Sequence, residues 1–204
     1  FPKDTYYMYQ SEWTQKPMLH LFPHWNWVPG DYIDMWCYFS GADEVELFIN
    51  GQSQGVRKKT NHQSEGWKPG LCTEYHVGWR VTFDPGEVKA VSRKDGKVVC
   101  EQVIKTAGAP DHIRLTTDYK GKETTFITAE VVDKDGNLCP WADDEIHFIY
   151  EGEGKILGTD NGCQTSMERF TSPKRKAFFG KCMVVATGPG SITAKSATLN
   201  PAWI

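Results

Sequence analysis

The chain has 204 residues, 39% apolar and 24% charged, with 23 basic and 26 acidic side chains for a net charge of -3. That length suits about two domains, each able to bury a core, and the mix is that of an ordinary soluble globular protein. The absence of a basic excess argues against a nucleic-acid partner, and no apolar run reaches the roughly 20 residues of a membrane span.

The chain opens on Phe1-Pro2-Lys3-Asp4, with no initiating Met and no apolar leader, which predicts a piece of a longer protein. Tyr6, Tyr7, Met8, Tyr9 and Trp13 suit an amphipathic turn or two of helix ended by Pro17. Residues 1–16 do not look like part of the rest of the chain, which is almost wholly β. Tyr32 to Phe39 alternates, with Ile33, Met35, Cys37 and Phe39 on one face. Val45, Leu47 and Ile49 repeat the pattern and run into Asn50-Gly51, a hairpin signal because both residues tolerate positive φ. Further strands are predicted over 75–83, 88–92 and 98–104, the last two joined through Lys94-Asp95-Gly96. Ala107-Gly108-Ala109-Pro110 is the best linker. Beyond it, strands are predicted near 113–116, 126–132, 146–150, 177–186 and 192–198, with Lys134-Asp135-Gly136-Asn137 closing a hairpin. Short strands separated by Gly, Pro and Asn turns point to antiparallel sandwiches, one over 17–106 and one over 107–204.

Six cysteines, Cys37, Cys72, Cys100, Cys139, Cys163 and Cys182, are widely spaced with no C-x-x-C pair, which excludes a zinc ribbon or thioredoxin-like motif. The even count permits disulfides. Buried free thiols acting as small hydrophobes are the alternative.

No catalytic motif is present: no G-x-S-x-G, H-E-x-x-H, P-loop or G-x-G-x-x-G. His20 and His24 share a helical spacing, but the segment reads as extended, where four residues span about 13 Å, too far to share one ion. The acidic pairs Asp43-Glu44, Asp143-Asp144 and Glu151 with Glu153 sit beside turns, where carboxylates are solvated. Arg57-Lys58-Lys59 and Lys174-Arg175-Lys176 read as solvated loops or edge-strand protection. Neither a metal nor a cofactor is expected. The aromatics carry more information. Trp25, Trp27, Trp67 and Trp79 are the candidate substrate-binding residues, because an exposed ring can stack on the apolar C–H face of a sugar. Packing between domains is the competing reading of Trp25 and Trp27.

The run from Lys16 to Trp27 resembles the segment that follows the catalytic barrel in bacterial glycoside hydrolase family 2 enzymes of the β-galactosidase type. Tyr6 to Thr14 is similar to the last barrel helix and its exit. Val45 to Ser53 and Phe83 to Val91 resemble two strands of the domain after the barrel. Thr106 to Pro110, Val131 to Leu138, Thr159 to Gly162 and Arg175 to Phe178 resemble the family's final immunoglobulin-like domain. The resemblance implies an all-β chain of two tandem immunoglobulin-like sandwiches, with residues 1–16 as the remnant of the barrel's end. It implies a parent that is a retaining glycosidase whose two catalytic Glu lie on a barrel absent here, so that no catalytic residue falls in this chain. The implied roles are support of the barrel, of the active-site rim or of a homodimer, with the parent's barrel as partner in the periplasm or outside the cell. Carbohydrate binding through exposed Trp residues is the alternative. Arg57 to Cys72 is longer and more polar than the family's usual connection.

Overall fold

The computed structural model describes residues 2–59 and 72–204, which divide into two compact units, Pro2–Thr106 and Ala107–Ile204. Each forms its own antiparallel sandwich.

The first unit begins with helix α1 (Asp4–Trp13). Strands β1 (Met18–Phe22), β2 (Tyr32–Ser40) and β5 (Val77–Thr82) form a three-stranded sheet in the order β1-β2-β5. Strands β3 (Glu44–Ile49), β4 (Gln52–Arg57), β6 (Glu87–Lys94) and β7 (Lys97–Lys105) form the facing sheet in the order β4-β3-β6-β7. The alternation dictates which faces meet. Ile33, Met35, Cys37 and Phe39 of β2 point inward and pack with Val45, Leu47 and Ile49 of β3 and with Val88 and Ala90 of β6. Each such large side chain withdrawn from water stabilises the fold by about 1.5–3 kcal/mol. β4 escapes sequence reading because it is an exposed edge strand with no apolar period.

The second unit pairs β12 (Lys174–Lys176), β10 (Glu145–Gly152), β14 (Gly190–Lys195) and β15 (Ala202–Trp203) in one sheet. The other sheet orders β11 (Lys155–Asp160), β13 (Lys181–Thr187), β9 (Thr124–Val132) and β8 (His112–Lys120). Its core holds Ile113, Ile127, Val131, Ile146, Phe148 and Val184 among others. The strand expected over 177–186 is interrupted, because residues 178–181 form a tight turn ahead of β13.

Three two-residue hairpins among the described residues put both central residues at positive φ. They are Asn50-Gly51 (48° and 81°), Asp95-Gly96 (50° and 74°) and Phe179-Gly180 (50° and 73°). The first two use the residue types this turn demands. The second Lys-Asp-Gly tripeptide, at 134–136, makes a different turn because Asp133 precedes it. Asp133 N–H donates to Asn137 O, and Gly136 N–H returns to Asp133 O. The Asp133 carboxylate is buried and accepts from the backbone N–H groups of Gly108 (2.8 Å), Asp135 (2.9 Å) and Asn137 (2.8 Å) and from the Asn137 amide. It therefore ties the start of the second unit to this turn.

Arg175 is the other buried polar tie. It is nearly inaccessible, and its guanidinium donates to the carbonyls of Thr159 (2.8 Å), Glu168 (3.2 Å) and Arg169 (3.0 Å) and to the Thr159 hydroxyl (3.2 Å). The Lys174-Arg175-Lys176 run thus lies on an edge strand, but only its lysines are solvated. The middle residue faces inward and organises the excursion between β11 and β12. All six cysteines are free. Burial pushes the Cys37 thiol up, the Cys182 thiol to about 12 and the Cys139 thiol to about 11.

Burial alone would raise the Asp133 pKa, but the hydrogen bonds from Gly108, Asn137 and Asp135 outweigh it and hold it at about 2. Its folded value lies below its unfolded one, so its contribution is full above about pH 4 and fades as pH falls toward 2, by about 2 kcal/mol. Urea melts of the wild type should show this loss between pH 4 and 2. Asp133→Ala should be destabilised at pH 7 and should show a shallower acid loss; an identical acid dependence in the variant would contradict the assignment.

Candidate functional site

Because β1 and β2 bury one face, their other face collects the remaining aromatic side chains. Register sets His20 of β1 beside Tyr38 of β2, and Phe22 beside Trp36. Phe22 stacks at 5.4 Å on His20 and sits 4.8 Å from Tyr38 and 6.0 Å from Trp36. The Trp36 ring lies flat on His76 at 4.3 Å and 8°, and His76 Nδ1 is 3.0 Å from the Thr73 hydroxyl. A continuous aromatic layer therefore runs across the sheet.

Helix α1 closes one end of this layer. Tyr7 stacks on His20 at 3.7 Å and 14°, and Asp4 reaches His20 Nε2 at 2.8 Å. Ser11, one turn further on, is buried. Asp4, Tyr7 and Ser11 are spaced three and four apart, so they form the stripe that faces the sheet. The helix thus belongs to the first compact unit, against the expectation that residues 1–16 stand apart from the sandwich. The physical reason is His20, a half-buried strand residue that offers Tyr7 a ring and Asp4 a nitrogen. A second stripe, Tyr6, Tyr9 and Trp13, has the same helical spacing and is exposed, Trp13 most of all at 77%. Tyr9 and Trp13 sit 4.6 Å apart.

At the helix's C-terminal end lies an open cavity of about 310 Å³, lined by Ser11, Glu12, Thr14, Phe39, Ser40 and Lys59 among others. Lys59 pairs with Glu12 at 2.6 Å and sits 5.0 Å over the Phe39 ring. The two charges at the cavity already satisfy each other.

The four tryptophans singled out from sequence are not brought together as a sugar surface. Trp25 is fully buried in the first core, edge-on to Phe83 at 5.0 Å, with its indole N–H donated to Asp84 O. Trp79 is buried too, with its indole N–H donated to Gly55 O at 3.0 Å. Neither shows a ring face to solvent, and this corrects the stacking role for both: alternation along β5 aims Trp79 inward, and the segment after β1 folds Trp25 into the core against Phe83. Trp27 is half-buried, stacked on His24 at 4.5 Å with its N–H on His24 O. Trp67 lies outside the described residues, as does most of the Arg57–Cys72 connection. His20 and His24 serve these ring stacks, and burial lowers the His24 pKa. The acidic pairs serve turns and ion pairs: Asp43 accepts from Asp95 N–H, Glu44 pairs with Lys58, and Asp144 accepts from Thr198. Among the described residues no three His, Cys, Asp or Glu are placed to hold a metal ion.

Sequence reading missed one group. In the second unit, Trp141, Phe178 and Phe179 are all exposed, with Phe178 and Phe179 centroids 4.6 Å apart and Trp141 6.1 Å from Phe179. The Phe-Phe-Gly sequence gives no hairpin signal by composition, so only the backbone reveals it.

Two antiparallel sandwiches of immunoglobulin-like build, with outward aromatic surfaces, define the class. The family described as "Glycoside hydrolase family 2 C-terminal domain 5" matches residues 102–204, and a "Domain of unknown function (DUF4982)" matches residues 30–100. The chain belongs to the glycoside hydrolase family 2 C-terminal domain family. It is 55% identical over 195 residues to "Beta-galactosidase BoGH2A" of Bacteroides ovatus, a match covering 93% of this chain and 22% of that protein. It superposes on a beta-glycosidase from Bacteroides vulgatus with a TM-score of 0.87 at 33% identity, covering 100% of this chain and 26% of the other. A glycosyl hydrolase family 2 member from Bacteroides cellulosilyticus gives 0.81 at 27% identity, covering 99% and 30%. The chain thus spans less than a third of the length of each of these relatives.

Two buried indole nitrogens separate packing from hydrogen bonding. That of Trp36 has no partner among the described residues, whereas that of Trp79 bonds Gly55 O. An unsatisfied buried donor costs about 1–3 kcal/mol. Trp36→Phe removes that penalty, so it should cost at least about 1 kcal/mol less than Trp79→Phe in chemical denaturation. Equal losses would show that the Trp79 bond contributes nothing.

Proposed function

We propose that this chain is a non-catalytic accessory region of a family 2 glycoside hydrolase of the β-galactosidase type, and that α1 is where the catalytic domain rests on it. The observation that carries the reading is the division of α1 into two stripes. Asp4, Tyr7 and Ser11 are spent on the sheet beneath. Tyr6, Tyr9 and Trp13 face away from it and are exposed. A row of three aromatic rings on one helix is a large apolar face for water to cover. The occupant is the rest of the parent chain. Relatives of this family continue well beyond the matched segment, which makes up 22% of the Bacteroides ovatus enzyme. Docking within one chain avoids the entropy of bringing two molecules together, so a small face suffices. Each ring withdrawn from water would contribute about 1.5–3 kcal/mol. In this role the sandwich holds the end of the catalytic domain in place, through the Tyr7–His20 stack and the Asp4–His20 pair.

The test uses the parent chain and the present 204-residue chain side by side. The double variant Tyr9→Ser/Trp13→Ser should lower the parent's thermal midpoint by several degrees and shorten its activity half-life on heating. In the short chain the same change should leave the midpoint nearly unmoved and reduce binding of a hydrophobic dye. A parent whose melting and inactivation are indifferent to the double change would sink the reading.

A further inference from the structure

The hairpin at Phe179-Gly180 breaks a rule that the other two hairpins of its kind obey. Phe178 N–H donates to Lys181 O at 2.8 Å and Lys181 N–H to Phe178 O at 3.1 Å, so the turn is closed by both bonds. Its first central residue has φ 50°, where the chain elsewhere uses Asn50 and Asp95. At such angles a bulky side chain crowds its own backbone, and short polar residues or glycine are strongly preferred. Burial does not offset the strain, because Phe179 is 50% exposed. Strain kept at a position that faces water is a mark of function rather than of packing.

The turn is also held rigidly against its neighbour. Gly180 N–H donates to Ala142 O at 3.1 Å, and a Cβ at residue 180 would meet Cys139 O at 2.3 Å. The 139–142 loop carries Trp141, which is 60% exposed, and Phe178 beside the turn is 38% exposed. Three rings, tilted at 68° and 46° to one another, are thus presented by two loops fastened together.

We infer that Trp141, Phe178 and Phe179 form a binding surface for a saccharide, stacking on the apolar face of a sugar ring. The size of the surface argues for a small ligand. At these exposures three aromatic side chains offer about 300 Å², well short of the roughly 800 Å² that each partner contributes to a stable protein interface. The flanks are polar: Lys176 and Asp143, each two residues from a ring of the group, are exposed. An ammonium donor and a carboxylate acceptor suit sugar hydroxyls and interrupt any larger apolar contact. The inference is independent of the docking role of α1, which lies in the other unit.

The test is titration of the 204-residue chain with lactose, cellotetraose and xylotetraose, followed by calorimetry and by amide chemical shifts. At least one of the three should bind saturably, with shifts centred on residues 141 and 178–180. Phe179→Asn should weaken that binding at least tenfold while leaving the unfolding midpoint equal or higher, since Asn accepts the backbone angle. Trp141→Ala should weaken it similarly, and Tyr9→Ser/Trp13→Ser should not change it. No saturable binding by any of the three sugars, or wild-type affinity in Phe179→Asn, would overturn the proposal. So would a concentration-dependent dimer that Phe179→Asn dissolves, because the surface would then belong to a second copy.

Discussion

A β-strand sends successive side chains to opposite faces of its sheet, so only every second one can enter a given core, and most of what this chain does comes from that limit. Once Ile33, Met35, Cys37 and Phe39 are committed to the interior, Trp36 and Tyr38 must lie outside, with His20 and Phe22 beside them. The outer face of the β1-β2-β5 sheet becomes an aromatic layer as a by-product of building the core. Helix α1 covers one end of that layer. The same alternation sends Trp79 inward, and the segment after β1 buries Trp25; their indole N–H groups find backbone carbonyls, and their rings give the first sandwich much of its bulk.

The second unit relies on a different kind of tie. Its loops are joined by two buried ionic groups that are satisfied almost wholly by backbone. Asp133 accepts from three N–H groups, and Arg175 donates to three carbonyls. Such groups are expensive to bury and more expensive to leave half-paired, so they select one loop conformation over its neighbours. Asp133 holds the start of the sandwich, and Arg175 holds the segment between β11 and β12. With the loops immobilised in this way, exposed side chains at the ends of the sandwich can be presented without losing much freedom on binding.

The two outward aromatic groups differ in how they are built, and that difference bears on their roles. The stripe on α1 is ordinary helix geometry, unstrained, with its partner stripe already used. The group around Phe179 sits on a strained turn bonded to a second loop. A regular helical face suits a large apolar neighbour that covers it for good, whereas a pre-set cluster of rings suits a small ligand that comes and goes.

The amino-acid order determined the all-β class, the alternating strands, the Asn50-Gly51 and Asp95-Gly96 turns and the resemblance to the family, because each of these depends on residues close together in sequence. Tertiary structure alone decided the rest. Sequence could count tryptophans but not tell an inward indole from an outward one, since the register of a strand against its neighbours sets that direction. It could mark Lys174-Arg175-Lys176 as basic but not show that the middle side chain turns inward to carbonyls of Thr159, Glu168 and Arg169. The strand at Gln52–Arg57 was invisible because an exposed edge leaves no apolar period. The cluster of Trp141, Phe178 and Phe179 was invisible for a plainer reason. Its members are nearly forty residues apart, and the backbone bonds from Gly180 to Ala142 and from Ala177 to Asp144 bring their loops together.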